Sequence, residues 1–264
     1  MSEIDITLII TTYNWPQALQ ACLESVMRQS KLPSEVIIAD DGSSNETKLL
    51  IDHYKNDFPI PLLHVWQEDN GYRRSAILNK ALRTVDSKHY VIFIDGDIIL
   101  HRHFIADHAR LAQHGYYVFG RRSFLSAELS TKILSGKKPA KLTCFTKGLR
   151  RRDNAFYLPW LTPITQSYRR NKNYGIGCNL AAWMTDLIKV NGMNEQMTGW
   201  GCEDNDLIQR LRNIGLVSKA AKYQAIEFHI YHKIRPANEE NKALLQKVIE
   251  SHSQRCEFGL EYPP

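Results

Sequence analysis

The first hundred residues alternate between short apolar runs and amphipathic stretches. Residues 4–14, IDITLIITTYN, have an apolar and β-branched centre bounded by turn residues, which is typical of a strand buried in a parallel sheet. WPQALQACLESVMRQS follows with apolar residues at i, i+3, i+4, i+7 and i+8 spacing and a proline near its start, which predicts an amphipathic helix. The alternation continues through the strands SEVIIADDGS, PLLHVWQED and HYVIFIDGDIIL and the helices NETKLLIDHYKND and RRSAILNKALRTV. This order predicts an α/β fold with right-handed crossovers and a mostly parallel central sheet flanked by helices.

The rest of the chain is less regular. Residues 121–175 mix Lys and Arg with Gly, Pro and aromatic residues, which predicts an irregular or loosely helical insertion. A strand and short helix are expected in YGIGCNLAAWMTDLIKVNGMNE, and a helix from about Glu203 to Ile214. LVSKAAKYQAIEFHIYH is predicted as a strand and NEENKALLQKVIESH as a final amphipathic helix. We expect a single domain with two halves, residues 1–120 and a smaller C-terminal part in residues 121–264.

Length and composition limit the class of protein. A chain of 264 residues can bury one large core, and 43% hydrophobic with 23% charged residues is ordinary for a soluble globular protein. No apolar run is long enough to span a membrane, and the N-terminus is acidic where a secretory signal carries Lys or Arg, so we expect a cytoplasmic protein. The five cysteines are scattered without a C-x-x-C pair, which favours reduced thiols over a zinc site or disulfides.

Positive charge is concentrated in one segment. Residues 132–172 contain eleven Lys and Arg against the single acid Asp153, so this segment carries +10 and the rest of the chain −4. Such a segment indicates a phosphate-bearing ligand or an anionic surface, although a solvated Lys-rich loop has the same composition.

Acidic residues follow three of the predicted strands. Asp40 and Asp41 end the second strand, Asp69 the third, and Asp95 and Asp97 the fourth. Ligands of parallel sheets bind beyond these strand ends, although any single acid there also suits a turn or a helix N-cap. Two carboxylates separated by one residue can face the same ligand only where the strand has turned, and there they suit a hard cation such as Mg²⁺ or Mn²⁺ that bridges phosphates.

Five motifs, in the order TTYNWP, DDGS, DNGYRRSAILNKAL, FIDGDIIL and GWGCEDNDL, resemble those of the family 2 inverting glycosyltransferases with the GT-A fold. The last motif is also similar to the C-terminal part of the β-1,4-galactosyltransferases and of bacterial chondroitin-type polymerases. The resemblance covers most of residues 4–120 and 174–240. It implies metal-dependent, inverting transfer of a sugar from a nucleotide sugar, with UDP expected, to a glycan or lipid-linked glycan acceptor. Assembly of a bacterial surface polysaccharide or lipooligosaccharide is the expected setting.

By this resemblance, residues 1–120 form the nucleotide-sugar-binding half and residues 121–264 the acceptor-binding and catalytic-base half. The expected donor-binding residues are Thr11, Tyr13, Asp40, Asp41, Arg73 and Asp95. Tyr13 would lie against the base and Asp41 would accept from uracil or ribose, whereas its neighbour Asp40 could instead have a structural role. Arg73 suits the charge of a diphosphate, and Asp95 would hold the ribose side of the donor.

The resemblance also implies a Mn²⁺ or Mg²⁺ site. Asp97 would bind the metal on the diphosphate, and His232 is the first choice for a second ligand, because it lies six residues before Asn238 as in the galactosyltransferases. His229 aligns with a methionine ligand there and could also bind. Alternating histidines in a strand are otherwise often ordinary hydrogen-bonded side chains.

The motif GWGCEDNDL contains the expected catalytic base. Inverting transfer needs a carboxylate to accept the proton of the acceptor hydroxyl, and the resemblance assigns this role to Asp204. Glu203 would bind acceptor or donor-sugar hydroxyls, and Trp200 would offer an aromatic face to a sugar ring. Asp206 is expected to be structural, since it points elsewhere on the helix. All three acids would also be favoured at a helix start by its dipole alone.

The chain departs from the family pattern at three places. Cys202 stands where the galactosyltransferases carry Gly, and Asn205 where they carry another acid. The basic segment 132–172 has no counterpart, and we expect it to contact an anionic acceptor or, peripherally, the inner face of the cell membrane. Donor and acceptor preference therefore cannot be transferred from the family.

Two other classes of function have similar features. A sugar-phosphate nucleotidyltransferase also combines a parallel sheet with paired acids, but it normally has a G-x-G-T-R-like loop where this chain has TTYNWP. A non-enzymatic module could bind nucleic acid or an anionic surface through the basic segment. Acidic strand ends would repel a phosphate backbone in the absence of metal, so we expect no nucleic-acid partner.

Overall fold

The computed structural model describes residues 4–136, 141–162, 177–233, 236 and 238–261. The strands in this part of the chain are β1 (Ile6–Thr12), β2 (Glu35–Asp40), β3 (Leu62–Trp66), β4 (Tyr90–Asp95), β5 (Ile98–Leu100), β6 (Tyr116–Phe119), β7 (Arg122–Leu125), β8 (Leu149–Arg150), β9 (Leu180–Trp183), β10 (Val217–Ala220) and β11 (Glu227–His229). The helices are α1 (Pro16–Met27), α2 (Asn45–Asp57), α3 (Arg74–Leu82), α4 (Phe104–Leu111), α5 (Ala127–Leu134), α6 (Met184–Lys189), α7 (Glu203–Asn213) and α8 (Glu239–Ser251).

Seven strands form the central sheet, in the order β10-β6-β9-β4-β1-β2-β3. β1 pairs in parallel with β2 and β4, β2 with β3, and β6 with β10, whereas β9 runs antiparallel between β4 and β6. The predicted mostly parallel sheet is therefore confirmed. The carboxyl ends of β1, β2 and β4 lie side by side, with Thr11 opposite both Ala39 and Asp95 in the register.

Helices cover both faces of this sheet. One apolar cluster joins α1, α2 and α4 to the sheet through residues such as Leu23, Ile51 and Phe104. The other joins α3, α6 and α7 through Ile77, Leu187 and others. β1, β2 and β4 are almost wholly buried because the apolar side chains on both of their faces pack against helices, as expected for a sheet covered on both sides.

A second sheet of four strands, in the order β5-β11-β7-β8, lies at the carboxyl edge of the first, and the sequence pattern did not predict it. HYVIFIDGDIIL was predicted as one strand, but it leaves the central sheet after Asp95 and enters the second sheet at Ile98. LVSKAAKYQAIEFHIYH likewise divides into β10 and β11, separated by left-handed residues at Tyr223 and Ala225. Since apolar residues lie on both sides of each break, the hydrophobic pattern did not reveal the change of sheet.

The first part of the segment predicted as irregular or loosely helical contains the helix α5, which agrees with the second alternative, and the strand β7, which was not predicted; both pack against β11. Residues 137–140 and 163–176 of that insertion lie outside the described residues. The five cysteines are free, as expected. Among the described residues, no helix combines the length and apolar character needed to cross a membrane.

Candidate active site

The turn between β4 and β5 places two carboxylates at the sheet edge. Gly96 donates its N–H to the carbonyl oxygen of Thr11 at 2.7 Å, and a side chain here would place a Cβ 2.9 Å from that oxygen. This close approach requires glycine. It also brings Thr11 Oγ1 within 3.1 Å of Asp95 Oδ1. The predicted Asp-x-Asp thus lies where the chain turns away from the strand.

Asp97, His229 and His232 form a compact group in this turn. Asp97 Oδ2 lies 3.4 Å from His229 Nε2 and 3.2 Å from His232 Nε2, and the two Nε2 atoms are 3.2 Å apart. Within the described residues, this is the group of potential metal ligands whose ligand atoms lie close enough together to bind one metal ion. The chain brings the histidines here because β11 pairs antiparallel with β5, which begins directly after Asp97.

The donor atoms of this group fit a divalent cation. Two imidazole nitrogens and a carboxylate suit Mn²⁺ and similar ions, and Asp97 Oδ1 is buried without a hydrogen-bond partner in the described residues. His232 Nδ1 lies 2.9 Å from the carbonyl oxygen of Lys233, which can only accept, so Nε2 is the ring atom left for a metal. The hydrogen bond to Asp97 raises the pKa of His232, whereas burial lowers the pKa of His229.

A tight turn delivers the second acidic group. Gly201 and Cys202 both have left-handed backbone, with φ of +106° and +72°, and Cys202 directly precedes α7. The left-handed φ explains why glycine suits position 202 in the galactosyltransferase pattern, since a side chain there is strained. The turn places Glu203 and Asp204 in the first turn of α7, where they line the cleft.

Arg74, the first residue of α3, joins the two acidic groups. Its Nη1 donates to Asp204 Oδ1 at 2.7 Å and its Nη2 to Asp95 Oδ1 at 3.2 Å, with Glu203 Oε1 at 3.8 Å from Nη1. The arginine is only 7% exposed, and the three surrounding carboxylates raise its pKa despite its burial. It therefore remains a cation and holds Asp204 in a fixed position.

The sequence singled out Arg73 rather than Arg74. In the structure Arg74 lines the cleft, while the main-chain N–H of Arg73 donates to Asp41 Oδ2 at 2.9 Å. The two consecutive arginines at the start of α3 were the sequence signal for a cation at this place. Spacing along the chain could not decide which of them contacts Asp95 and Asp204. The contact between Arg74 and Asp204 spans 130 residues of sequence.

Glu203 is nearly buried. Its Oε1 accepts from Tyr72 Oη at 3.1 Å and its Oε2 from the N–H of Gly201 at 2.9 Å. Burial and the neighbouring Asp204 raise the pKa of Glu203. Trp200, which is 38% exposed, lines the same cleft and leaves part of its ring open to a ligand.

Asp206 faces the protein interior. Its Oδ2 accepts from Arg210 Nε at 2.8 Å and from Nη2 at 2.5 Å, and both side chains are fully buried. Arg210 also donates to the carbonyl oxygens of Val190 and Gly192. Asp206 therefore connects α7 to the loop after α6, which is a structural role.

Four of the expected donor-binding residues lie at or just beyond the carboxyl ends of β1, β2 and β4. Thr11, Tyr13, Asp41 and Asp95 line the cleft, whose volume is about 750 Å³. Tyr13 is 46% exposed, and its hydroxyl donates to Asp69 Oδ2 at 2.9 Å. Asp41 accepts from Gln67 Nε2, and burial raises its pKa.

Asp40 does not share this position. It is fully buried, with Oδ1 accepting from the N–H of Ser43 at 2.8 Å and Oδ2 lying 2.9 Å from His64 Nε2. Since both oxygens are bound within the protein, the prediction that Asp40 contacts a donor conflicts with the structure. Its alternative, a structural role in the turn after β2, agrees with these contacts.

The described part of the basic segment exposes aromatic side chains beside its cations. Phe145 is 83% exposed and Trp160 71% exposed, between exposed residues such as Arg151 and Arg152. Lys132 pairs with Glu128 at 2.8 Å on α5. Five other cations of the segment lie outside the described residues: Lys137, Lys138, Arg169, Arg170 and Lys172.

Comparison with known proteins assigns the chain to a family. The family model described as glycosyl transferase family 2 matches residues 7–178, and the model described as N-terminal domain of galactosyltransferase matches residues 164–233. Together they include both acidic groups and the two histidines.

Similar proteins and structures agree with this assignment. The chain is 24% identical over 259 residues to a chondroitin synthase of Pasteurella multocida, which covers 91% of this chain and 26% of that protein. It spans less than half the length of the curated relatives that it matches first.

Two solved structures have the same fold. S. aureus TarS 1-349 in complex with UDP-GlcNAc has a TM-score of 0.67 at 15% identity, over 94% of this chain and 66% of that one. GalNAc-T7 with UDP, GalNAc and Mn²⁺ has a TM-score of 0.70 at 12% identity, over 94% of this chain and 48% of that one. The chain thus belongs to glycosyl transferase family 2 and has the GT-A fold.

Proposed function

We propose that this protein is a metal-dependent, inverting glycosyltransferase that uses a UDP-sugar. The acceptor is a hydroxyl of a glycan or lipid-linked glycan in the assembly of a bacterial surface polysaccharide or lipooligosaccharide. The observation that carries the proposal is that one cleft contains two distinct carboxylate sites: Asp97 with two histidines, and Asp204 held by Arg74. Inverting transfer requires both a site that neutralises a leaving diphosphate and a separate base.

The donor is proposed to bind across the ends of β1, β2 and β4. Tyr13 offers an exposed ring to the base, and Thr11, Asp41 and Asp95 offer hydrogen-bonding groups to the nucleoside. Arg73 remains a proposed donor contact through its position beside Asp41. TarS and GalNAc-T7, which share the fold, are described with UDP-GlcNAc and with UDP, respectively.

Asp97, His229 and His232 would hold Mn²⁺ or Mg²⁺, which when bound supplies positive charge to the leaving diphosphate. Asp97 has a free lone pair at its buried Oδ1, and the His232 ring is fixed by the carbonyl of Lys233. GalNAc-T7 was solved with Mn²⁺. These contacts support the proposed metal dependence.

Asp204 is proposed as the general base. Its carboxylate accepts the proton of the acceptor hydroxyl while the hydroxyl oxygen attacks the anomeric carbon and the nucleoside diphosphate leaves from the opposite face. Arg74 orients Asp204 through the 2.7 Å contact. Glu203 and Trp200 line the adjoining wall, where a carboxylate and an aromatic face suit sugar hydroxyls and a sugar ring.

The two halves of the chain share these tasks unequally. Residues 1–120 supply the proposed nucleoside contacts and Asp97, whereas residues 121–264 supply the base and both histidines. The nucleotide-binding half is therefore incomplete without β11. The exposed cations and aromatic rings of residues 141–162 support the proposed contact with an anionic acceptor or the membrane face.

Calorimetry with UDP tests the metal and the donor together. We expect the protein to bind UDP in the presence of Mn²⁺. Its affinity for UDP should fall when EDTA is added, and also in the variant Asp97→Ala. Asp57→Ala, at the exposed C-terminal end of α2, is the matched control and should bind as the wild type does. Equal UDP affinity with EDTA and with Mn²⁺ would contradict the metal assignment.

Transfer itself is tested with a panel of UDP-sugars. Release of UDP that depends on an added glycan acceptor identifies the donor and acceptor class. Proton NMR of the product then reports the anomeric configuration, and an α-linked donor should give a β-linked product. A product with the donor's configuration would contradict the inverting mechanism.

A further inference from the structure

Arg122 is a second arginine of the cleft, and neither the sequence motifs nor the proposed reaction gives it a role. It begins β7 in the second sheet, opposite Glu227 in the register with β11, and so stands beside the strand that carries His229. Its side chain lines the cleft together with Asp95 and Asp97.

Burial opposes the charge of Arg122 and the nearby acids Asp95, Glu227 and Asp97 raise its pKa, but among the described residues its side chain donates a hydrogen bond to no carboxylate. Its Nη1 donates to Cys178 Sγ at 3.3 Å and lies 4.0 Å from Asp95 Oδ2, and its guanidinium lies 5.2 Å from the centre of the Phe124 ring. Its Nε is buried without a hydrogen-bond partner among the residues that the structure describes. Burial raises the pKa of the Cys178 thiol, so that contact contributes no negative charge.

Arg74 provides the contrast. It contacts the carboxylates of Asp95, Asp204 and Glu203, and thus has acids on both of its terminal nitrogens. Arg122 has one carboxylate at 4.0 Å, and Arg74 already binds the other oxygen of that carboxylate at 3.2 Å. A partly buried guanidinium is stabilised by an anion that accepts from its planar set of donors, and phosphate oxygens match that geometry.

We propose that Arg122 binds the diphosphate of the donor directly, as a cation additional to the metal ion, and so makes the cleft selective for phosphorylated nucleosides. This inference rests on the proposed function, since it names a further contact in the same cleft. It also accounts for how an anion enters a cleft that contains Asp95, Asp97, Glu203 and Asp204. If the metal ion near Asp97 were the single cation for the diphosphate, these carboxylates would repel the rest of the diphosphate charge. With Arg122 as a second cation, the metal ion and the guanidinium each neutralise part of that charge.

Binding of UDP and of uridine by calorimetry or ligand-observed NMR, each in Mn²⁺ and in EDTA, tests the proposal in Arg122→Met. We expect UDP affinity to fall about 10- to 100-fold in both conditions, the usual effect of losing a hydrogen bond between charged groups. Uridine affinity should stay that of the wild type. Arg122→Lys should lose less UDP affinity than Arg122→Met, because it keeps the charge but not the planar donors.

The matched control is Arg121→Met. Arg121 is the adjacent arginine, is exposed and is not among the residues that line the cleft, so this variant should bind UDP and uridine as the wild type does. An unchanged ratio of UDP to uridine affinity in Arg122→Met overturns the inference, because a purely structural arginine would affect both ligands alike. A loss of UDP affinity confined to Mn²⁺ also overturns it, since Arg122 would then act through the metal ligands.

Two further outcomes are decisive. If Arg122→Met does not fold, Arg122→Gln, which keeps a donor for Cys178, is measured with the same criteria. If the wild type binds UDP no better than uridine, the proposed donor is wrong and this inference falls with it. Wild-type UDP binding with an unaffected Arg122→Met overturns the inference alone and leaves the proposed function intact.

Discussion

The acids after β4 and the acids at the start of α7 carry the same functional group in opposite settings. Asp95 and Asp97 are separated by one glycine at a strand end, and both face the cleft. Glu203, Asp204 and Asp206 lie within one helical turn but face three different surroundings: a tyrosine and a main-chain N–H, an arginine of the cleft, and a buried arginine. Closeness in sequence thus brings the first pair to one cleft, whereas it gives the acids of the second group different partners.

The difference follows from backbone geometry. A strand end that turns at Gly96 directs its flanking side chains to the same edge, because the chain leaves the central sheet there. On a helix, successive residues are rotated by about 100°, so Asp204 and Asp206, two residues apart, point to different sides. Asp206 accordingly meets Arg210 on its own helix, while Asp204 meets Arg74 on α3.

The sharpest test of this division is Asp204→Asn. We expect kcat to fall by about 10²- to 10⁴-fold, because a general base is lost. UDP affinity should remain that of the wild type, since the donor contacts lie at the strand ends. Steady-state kinetics and UDP calorimetry on the same preparation measure both quantities, and retained turnover would exclude Asp204 as the base.

Asp206→Ala should give the opposite result. Removing the acid leaves Arg210 buried without its counter-charge, which costs roughly 3–5 kcal/mol of unfolding free energy. Urea unfolding measures the loss, and UDP affinity of the folded fraction should not change. Glu128→Ala, which breaks the exposed pair with Lys132, is the control and should cost far less, because exposed ion pairs contribute little to stability. A similarly small loss in Asp206→Ala would show that the interior role is wrong.

His232→Ala tests the strand-end site. Loss of a direct ligand should weaken Mn²⁺ binding by about 100-fold or more, because loss of an outer partner alone costs about 10- to 100-fold. Titration of Mn²⁺ followed by UDP affinity measures the change, and His53→Ala, on the exposed face of α2, is the control. An unchanged Mn²⁺ midpoint would leave Asp97 and His229 as the remaining candidate ligands.

Glu203→Gln should change how stability depends on pH. Burial raises the pKa of Glu203, so the folded state holds this proton more tightly and loses stability as pH rises from the ordinary value of 4.5. Gln cannot ionise, so the variant should gain stability over the wild type as pH increases, with no difference at low pH. Unfolding free energies at several pH values measure this. Glu128→Gln should show the reverse trend, because Lys132 lowers the pKa of Glu128.

The smallest expected effect concerns the turn that precedes α7. Cys202→Gly should raise the unfolding free energy by about 1 kcal/mol, since a left-handed backbone costs an L-residue about that much. Turnover should be unchanged, because Glu203 and Asp204 keep their positions. A loss of stability would show that the cysteine side chain contributes packing that exceeds the strain.

Periodicity predicted most of the fold correctly. α2 was predicted with the same limits as observed, and α7 was placed within one residue. The second sheet was missed because apolar residues continue beyond each break, in β5 and on both sides of β11. A change of sheet depends on hydrogen-bond partners, which a local pattern does not contain.

The candidate site was predicted less completely. Motif order selected Asp97, His229, His232 and Asp204, which the structure brings into one cleft or its immediate wall. It did not select Arg74 or Arg122, because their importance comes from contacts with acids far away in the sequence. It included Asp40, whose burial depends on the packing of β2 against β3.

The sequence by itself determined the alternation of strands and helices, the position of the acids at strand and helix ends, and the order of the family motifs. These are local properties, set by side-chain polarity, turn residues and spacing. Only the tertiary structure decided which arginine holds Asp204, which buried partner Asp206 binds, and that two sheets meet at Asp97. Those outcomes depend on long-range pairing and burial, whose energies arise only when distant segments come into contact.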